Sequence, residues 1–158
     1  MNLSWECRKH SFNLISSNNV RMDSNKTRLV YPNLSYKVMD VLFGVQNRLG
    51  SGLLEKYYQR AIELELTKRE IDFEREKLVR LEYEGTSIGR YFVDFVIDEK
   101  LVLEIKATKD FKILAYKQAY SYLRQLKLPL ALVVNFHGEK LKSRRIINPD
   151  FESVDLSK

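Results

Sequence analysis

Ile88-Gly89-Arg90-Tyr91-Phe92-Val93-Asp94-Phe95-Val96-Ile97-Asp98-Glu99-Lys100-Leu101-Val102-Leu103-Glu104-Ile105-Lys106-Ala107 is the stretch whose reading decides the fold. Its aromatic and branched residues predict two β-strands joined by the turn Asp98-Glu99-Lys100. Successive side chains of a strand point to opposite faces, so Glu104 and Lys106 share one face of the second strand while Leu103 and Ile105 take the other. Asp94 is the one charge between Phe92 and Ile97. A charge in so apolar a strand costs free energy unless it is paired or holds a metal. Two readings follow: a salt-bridged strand with Glu104 and Lys106 on a wet face, or a chemical site built from Asp94 and Glu-x-Lys.

Toward the C-terminus, Ile113, Leu114, Tyr116, Ala119, Tyr120, Leu123 and Leu126 recur at helical spacing. They predict a helix from Lys109 or Asp110 to about Leu126, ended by Lys127-Leu128-Pro129. The apolar run Leu130 to Phe136 predicts a strand covered on both faces, and Leu141 to Ile147 a more polar one. Strand, helix, strand is a crossover unit, so the strands starting at Leu101 and Leu130 should run parallel. Toward the N-terminus, Phe73 to Tyr83 predicts a strand, with Glu84-Gly85 as the hairpin turn. Before it, Leu34, Val38, Val41, Leu42, Val45 and Leu49 mark one amphipathic helix, and Leu53 to about Arg69 a second. Gly50-Ser51-Gly52 separates them, with Ser51 as the candidate N-cap, which would put Glu55 near the end of the first turn. The expected order is ααβββαββ, an α/β protein with a mixed sheet and helices on its faces.

At 158 residues the chain is long enough for one domain with its own core, and 44% hydrophobic with 30% charged residues is the composition of an ordered globular protein. A net charge of +6 favours an anionic partner. One cysteine and two histidines exclude a disulfide framework and a His/Cys metal cluster, so a metal would be held mainly by oxygen. No apolar run approaches the roughly 20 residues that span a bilayer, and the N-terminus lacks the pattern of a signal peptide. The expected location is the cytoplasm, with no membrane partner and no oligomeric state assigned. Residues 1–30 show neither helical nor strand period and read as a poorly ordered leader. Its Arg8, Lys9, Arg21, Lys26 and Arg28 read as a solvated tail, with phosphate contact as the alternative. The domain is expected over 31–148, with 149–158 as a tail.

Together these segments resemble the PD-(D/E)XK nuclease superfamily, in which a helix glutamate precedes a hairpin aspartate and an acidic-x-Lys strand. Glu55, Asp94 and Glu104-Ile105-Lys106 stand in that order. Val93 occupies the place where the superfamily's name has proline. A closer resemblance is to the GxxExxY proteins within that superfamily. It rests on Gly52-Leu53-Leu54-Glu55-Lys56-Tyr57-Tyr58, Leu101 to Ala107, Gln118-x-x-x-Tyr122 and Val133-Val134-Asn135-Phe136. It covers about Tyr31 to Asn148, so the leader is either an extension peculiar to this chain or precedes a start at Met22.

The resemblance implies a three-layer α-β-α restriction-endonuclease-like core and a metal-dependent nuclease acting on DNA with Mg²⁺ or Mn²⁺. Asp94 and Glu104 would be metal ligands, joined by the backbone carbonyl of Ile105 and by Glu55, directly or through water. Lys106 would stabilise charge on the phosphate rather than take a proton, since neighbouring carboxylates oppose its deprotonation. Gln118 and Tyr122, one helical turn apart, would be auxiliary contacts, although Tyr122 also reads as a core aromatic. The rival expectation is a non-catalytic nucleic-acid-binding or partner-binding module that keeps the fold. A third is an unrelated α/β protein with a structural salt bridge.

Overall fold

The computed structural model describes residues 30–109 and 113–151. Apart from Val30, the leader, with its basic residues and Met22, therefore lies outside the described residues, as does most of the tail. Within them the chain runs α1 (Pro32–Leu49), α2 (Glu55–Lys68), β1 (Phe73–Tyr83), β2 (Thr86–Ile97), β3 (Leu101–Lys106), α3 (Ile113–Leu126), β4 (Leu130–Asn135) and β5 (Lys142–Ile147). This is the ααβββαββ order expected. The strands form one sheet in the order β1-β2-β3-β4-β5. Only β3 and β4 are parallel, as the crossover through α3 requires.

Local chemistry accounts for most of these boundaries. Pro32 opens α1, where its missing N–H costs nothing. Glu84 and Gly85, at φ 48° and 78°, make the two-residue turn of the β1–β2 hairpin, whose backbone twist matches that of the strands. Helix α2 departs from expectation: it starts at Glu55 after Leu54, and Ser51 makes no capping bond. The linker is secured by Tyr58 instead, whose hydroxyl donates to the Gly50 carbonyl at 2.9 Å and accepts the Leu53 N–H at 3.2 Å. Gly52, at φ 95°, supplies the left-handed backbone that this turn needs. The described part of α3 begins at Ile113. Lys109 is not helical, and Asp110 lies outside the described residues.

Helices cover both faces of the sheet. Val38, Val41 and Leu42 of α1 and Tyr58, Ile62 and Leu66 of α2 pack on Phe95, Ile97, Leu103, Ile105, Leu132 and Val134. Ala115, Ala119, Tyr122 and Leu123 of α3 pack on Val96, Val102, Ala131 and Val133. Every residue of β4 is buried, which explains its unbroken apolar sequence. Each large side chain sealed here is worth about 1.5–3 kcal/mol of transfer free energy. The edges of the fold are tied by polar bonds: Arg145 donates to Ser35 Oγ and to the Val30 carbonyl at 2.6 and 2.7 Å.

Candidate functional site

The β2–β3 ladder pairs Ile97 with Leu101, Val96 with Val102 and Phe95 with Leu103, and there the pairing ends. The next residue of β2 is Asp94. Its Oδ2 accepts the Ile105 N–H at 2.6 Å, taking the place of the carbonyl that a continued ladder would offer. Its Oδ1 accepts from the Gln59 amide of α2 at 2.9 Å. Asp94 thus sits in the opening between two diverging strands, held on both oxygens. The ladder of β1 with β2 skips at the same level: Arg75 pairs with Phe95 and Lys77 with Val93, while Glu76 between them has φ 52°. Irregularities of this kind bend a hairpin and re-aim a side chain.

Glu104 lies on β3 beside this opening and is 3% exposed. Its Oε1 accepts from the Lys106 ammonium at 2.7 Å, while its Oε2 is buried with no hydrogen-bond partner among the described residues. A buried oxygen left unpaired costs about 1–3 kcal/mol, more for a charged group. Glu55 reaches the cluster from the first turn of α2 through the Ala107 N–H, and it feels the Lys106 charge. Starting α2 at Glu55 also sets its carboxylate at the positive end of the helix dipole.

The charges are strained. Asp94 is pushed up to about 7, first by lost hydration and then by the Glu104 charge, against the Ile105 N–H and the Lys106 ammonium. Burial raises Glu104, with Lys106 opposing and Glu55 adding to the rise. Burial likewise raises Glu55, against Lys106 and the Ala107 N–H. For Lys106, burial pulls down, but Glu104, Glu55 and Asp94 outweigh it and hold the proton more firmly than usual. Each of the four groups therefore lies within electrostatic reach of at least two others.

On α3, Tyr122 is 1% exposed and accepts from the Gln118 amide at 2.5 Å. Burial and then the Glu104 charge push its phenol up, so it stays protonated. Its ring meets Tyr91 of β2 edge-on at 5.5 Å. Gln118 is linked to the carboxylates through Tyr122, whose phenol feels the Glu104 and Asp94 charges. Ile105 enters through its N–H on Asp94, with its side chain in the core. Tyr58 is buried and stacks on Phe136 at 4.4 Å, while Tyr57 and Arg90 are exposed.

Sequence reasoning missed two residues here. Gln59 stands one helical turn after Glu55, a spacing that puts both on one face of α2 and would have singled it out. Asn135, at the end of β4, donates to the Thr108 carbonyl at 2.8 Å and accepts the Thr108 N–H at 3.2 Å, fixing the chain as it leaves β3. Its polarity at the end of an apolar run was the available signal.

The donor set suits a hard divalent cation: carboxylate oxygens, one of them unpaired and buried, whose mutual repulsion a cation would relieve. Among the described residues no three acidic, histidine or cysteine side chains are close enough together to hold an ion as they stand. Mg²⁺ ordinarily takes only one or two carboxylates and keeps several waters, so two acidic side chains would be enough to hold it. Surface concavities of about 380 and 790 Å³ are lined by Asp72 and Asp98, near the start of β3 and away from its Glu104–Lys106 end, and include none of these residues. The candidate site rests on its chemistry and not on an enclosed cavity.

The sequence model of a family described as the PD-(D/E)XK nuclease superfamily matches residues 32–146, from α1 into β5. No curated protein sequence matches the chain. Among solved structures, the crystal structure of SSO0001 is similar with a TM-score of 0.47 and 19% sequence identity, over 76% of this chain and 63% of that one. The aligned part is thus less than two thirds of that chain's length.

Proposed function

The chain belongs to the PD-(D/E)XK nuclease superfamily, and on that premise we propose that it is a metal-dependent nuclease hydrolysing phosphodiester bonds in DNA. The observation that carries the proposal is Glu104, a carboxylate almost wholly removed from water with one oxygen unpartnered, set beside Asp94 and Glu55. A buried carboxylate oxygen without a partner is costly, and a bound cation would satisfy it. Asp94 and Glu104 would hold Mg²⁺ or Mn²⁺, with the Ile105 carbonyl and Glu55 completing the protein's share. The chemistry such an ion supplies is Lewis-acid polarisation of the phosphoryl oxygen and activation of water.

The chain's own groups do the rest. Gln59 and the Ile105 N–H fix the Asp94 carboxylate in one orientation. Lys106, its proton held by three carboxylates, acts as a fixed positive charge against the phosphate and not as a base. Tyr122, kept neutral and oriented by Gln118, offers a hydroxyl donor beside Glu104. Within the superfamily we place the chain with the GxxExxY proteins. Gly52 provides the turn, Glu55 the carboxylate and Tyr58 the hydroxyl that locks the turn. We take the domain as 31–148, a span supported by the tie from Arg145 to Ser35 and by Asn148 donating to the Leu128 carbonyl. No described helix is long and apolar enough to cross a membrane, and a cytoplasmic location is part of the proposal.

The test is degradation of labelled DNA by the wild type and by Lys106→Ala. Cleavage is expected in Mg²⁺ and Mn²⁺, little in Ca²⁺ and none in EDTA, with Lys106→Ala slower by about 10²–10³-fold. Equal rates in EDTA and Mg²⁺ would overturn it. A non-catalytic binding module is the second reading. It is favoured by the partners that Asp94 and Glu104 already have in Gln59, Ile105 and Lys106. It requires Asp94→Asn to leave function unchanged.

A further inference from the structure

Beyond Asp94 the β1–β2 hairpin continues as an arm with two unlike faces. Lys77 pairs with Val93 and Val79 with Tyr91, and Val79 and Val93 are buried in the α3 core. The alternate positions pair Leu78 with Phe92 and Arg80 with Arg90. These face solvent: Leu78 is 43% exposed and Phe92 55%, with Ile88 at 60% just beyond and both arginines exposed. A patch of this kind would ordinarily be broken by acidic residues. Here the nearby acids are engaged, Glu74 by Lys77 and Glu76 by Arg75, and Glu82 lies past a register shift that carries it toward the tip.

Arg80 opposite Arg90 is the informative pair. Like charges directly across an antiparallel ladder destabilise it, and among the described residues neither guanidinium has an ion-pair or hydrogen-bond acceptor. The arrangement is stabilised when an anion lies over the hairpin. An exposed aromatic ring one step closer to Asp94 adds a flat apolar surface. A duplex hides the faces of its bases and would offer Phe92 and Leu78 only its charged backbone, whereas an unpaired base can stack on the ring while its phosphates meet the arginines.

Resting on the nuclease reading for what lies at its end, we propose that this face of the hairpin is a docking track that delivers a single-stranded segment of DNA to the carboxylate cluster. Phe92 stacks on an unpaired base, and Arg80 and Arg90 hold the adjoining phosphates. Arg90 stands four residues from Asp94, about 13 Å along the strand, so the contacts lie on the nucleotides next to the scissile bond. Substrates with unpaired ends, flaps or junctions are therefore favoured over blunt duplex.

The experiment is fluorescence anisotropy in EDTA, across a salt series, with a labelled oligothymidylate and a blunt duplex of equal length. All the variants change exposed side chains. Phe92→Ala should weaken single-strand binding about ten-fold without altering the salt slope, and leave duplex binding within two-fold. Phe92→Trp should restore it. Arg80→Ala combined with Arg90→Ala should flatten the log–log salt slope on single strands by about 1.4. Unchanged single-strand binding in all variants overturns the track, as does equal weakening on duplex by Phe92→Ala. A fall in sedimentation from dimer to monomer with DNA affinity unchanged would overturn it too, marking the face as a contact between copies of the chain. The two proposals separate cleanly. Binding that depends on Phe92 and the arginines, with no Mg²⁺-dependent cleavage by the wild type, keeps the track and removes the nuclease; cleavage that requires Asp94, with binding indifferent to Phe92 and both arginines, does the reverse.

Discussion

On the α1/α2 face of the sheet, Phe95, Ile97, Leu103 and Ile105 close against Val38, Leu42, Tyr58 and Ile62 in a wholly apolar layer. On the α3 face, Val96, Val102 and Val133 are joined by smaller alanines and by Tyr122, which feels the charge of buried Glu104. The same strand, β3, supplies both layers from alternate residues. The first face gains free energy from every side chain it covers. The second holds a carboxylate whose raised pKa means that folding opposes its ionisation. Emptying the sealed face should therefore cost stability, removing a charge from the carboxylate cluster should not, and activity should depend far more on the second change.

The largest effect expected is on catalysis. Asp94→Asn keeps volume and loses the charge, so cleavage in Mg²⁺ should drop by about three to four orders of magnitude while the circular dichroism spectrum stays that of the wild type. An active Asp94→Asn protein would dissolve the contrast between the faces. Next comes Phe95→Ala on the sealed face. It removes a fully buried ring that also meets Phe73 edge-on at 5.8 Å, and urea unfolding should show a loss of about 3–5 kcal/mol. A much smaller loss would mean that the apolar face is loosely packed around Phe95.

A pH series sharpens the comparison. Asp94 has a folded-state pKa of about 7 against an ordinary 3.8. The stability tied to its proton is complete below about pH 4 and is lost as pH rises through 7. Without divalent metal, the wild type should lose on the order of 2 kcal/mol of stability from this group between pH 5 and pH 8, and Asp94→Asn should show a flatter profile. Parallel urea-midpoint profiles for the two proteins would contradict the burial of that charge. The smallest effect belongs to Tyr58→Phe, which keeps the ring stacked on Phe136 but removes the hydroxyl between Gly50 and Leu53. A cost of about 1 kcal/mol is expected in thermal or urea unfolding, with cleavage falling less than stability if the turn only sets where α2 begins.

Particular residues show why some of this was legible beforehand. Leu101 to Lys106 and Leu130 to Asn135 are apolar runs flanking one helical pattern, and a right-handed crossover leaves them little choice but to run parallel. Glu104 and Lys106 share a face because strand period is a property of the backbone. Ser51 misled because capping preference is weak beside a tertiary contact: the Tyr58 hydroxyl reaches back to the turn once its ring has packed on Phe136, and the helix starts three residues later than a serine cap would have it. Gln59 and Asn135 carried only the weak signals of helical spacing and of polarity at the end of an apolar run, and their roles became definite only with their partners, Asp94 and Thr108.

The sequence by itself determined the succession of elements, the parallel crossover, and which charged residues interrupt apolar strands, because these depend on periodicity and turn chemistry within a few residues of each position. Only the tertiary structure decided that the β2–β3 pairing stops at Phe95, so that Asp94 and not a carbonyl receives the Ile105 N–H, and that one oxygen of Glu104 has no partner among the described residues. Where a ladder ends depends on the curvature of the whole hairpin and on what α2 and α3 press against it, and burial of a single atom depends on every neighbour at once; neither is a local property of the chain.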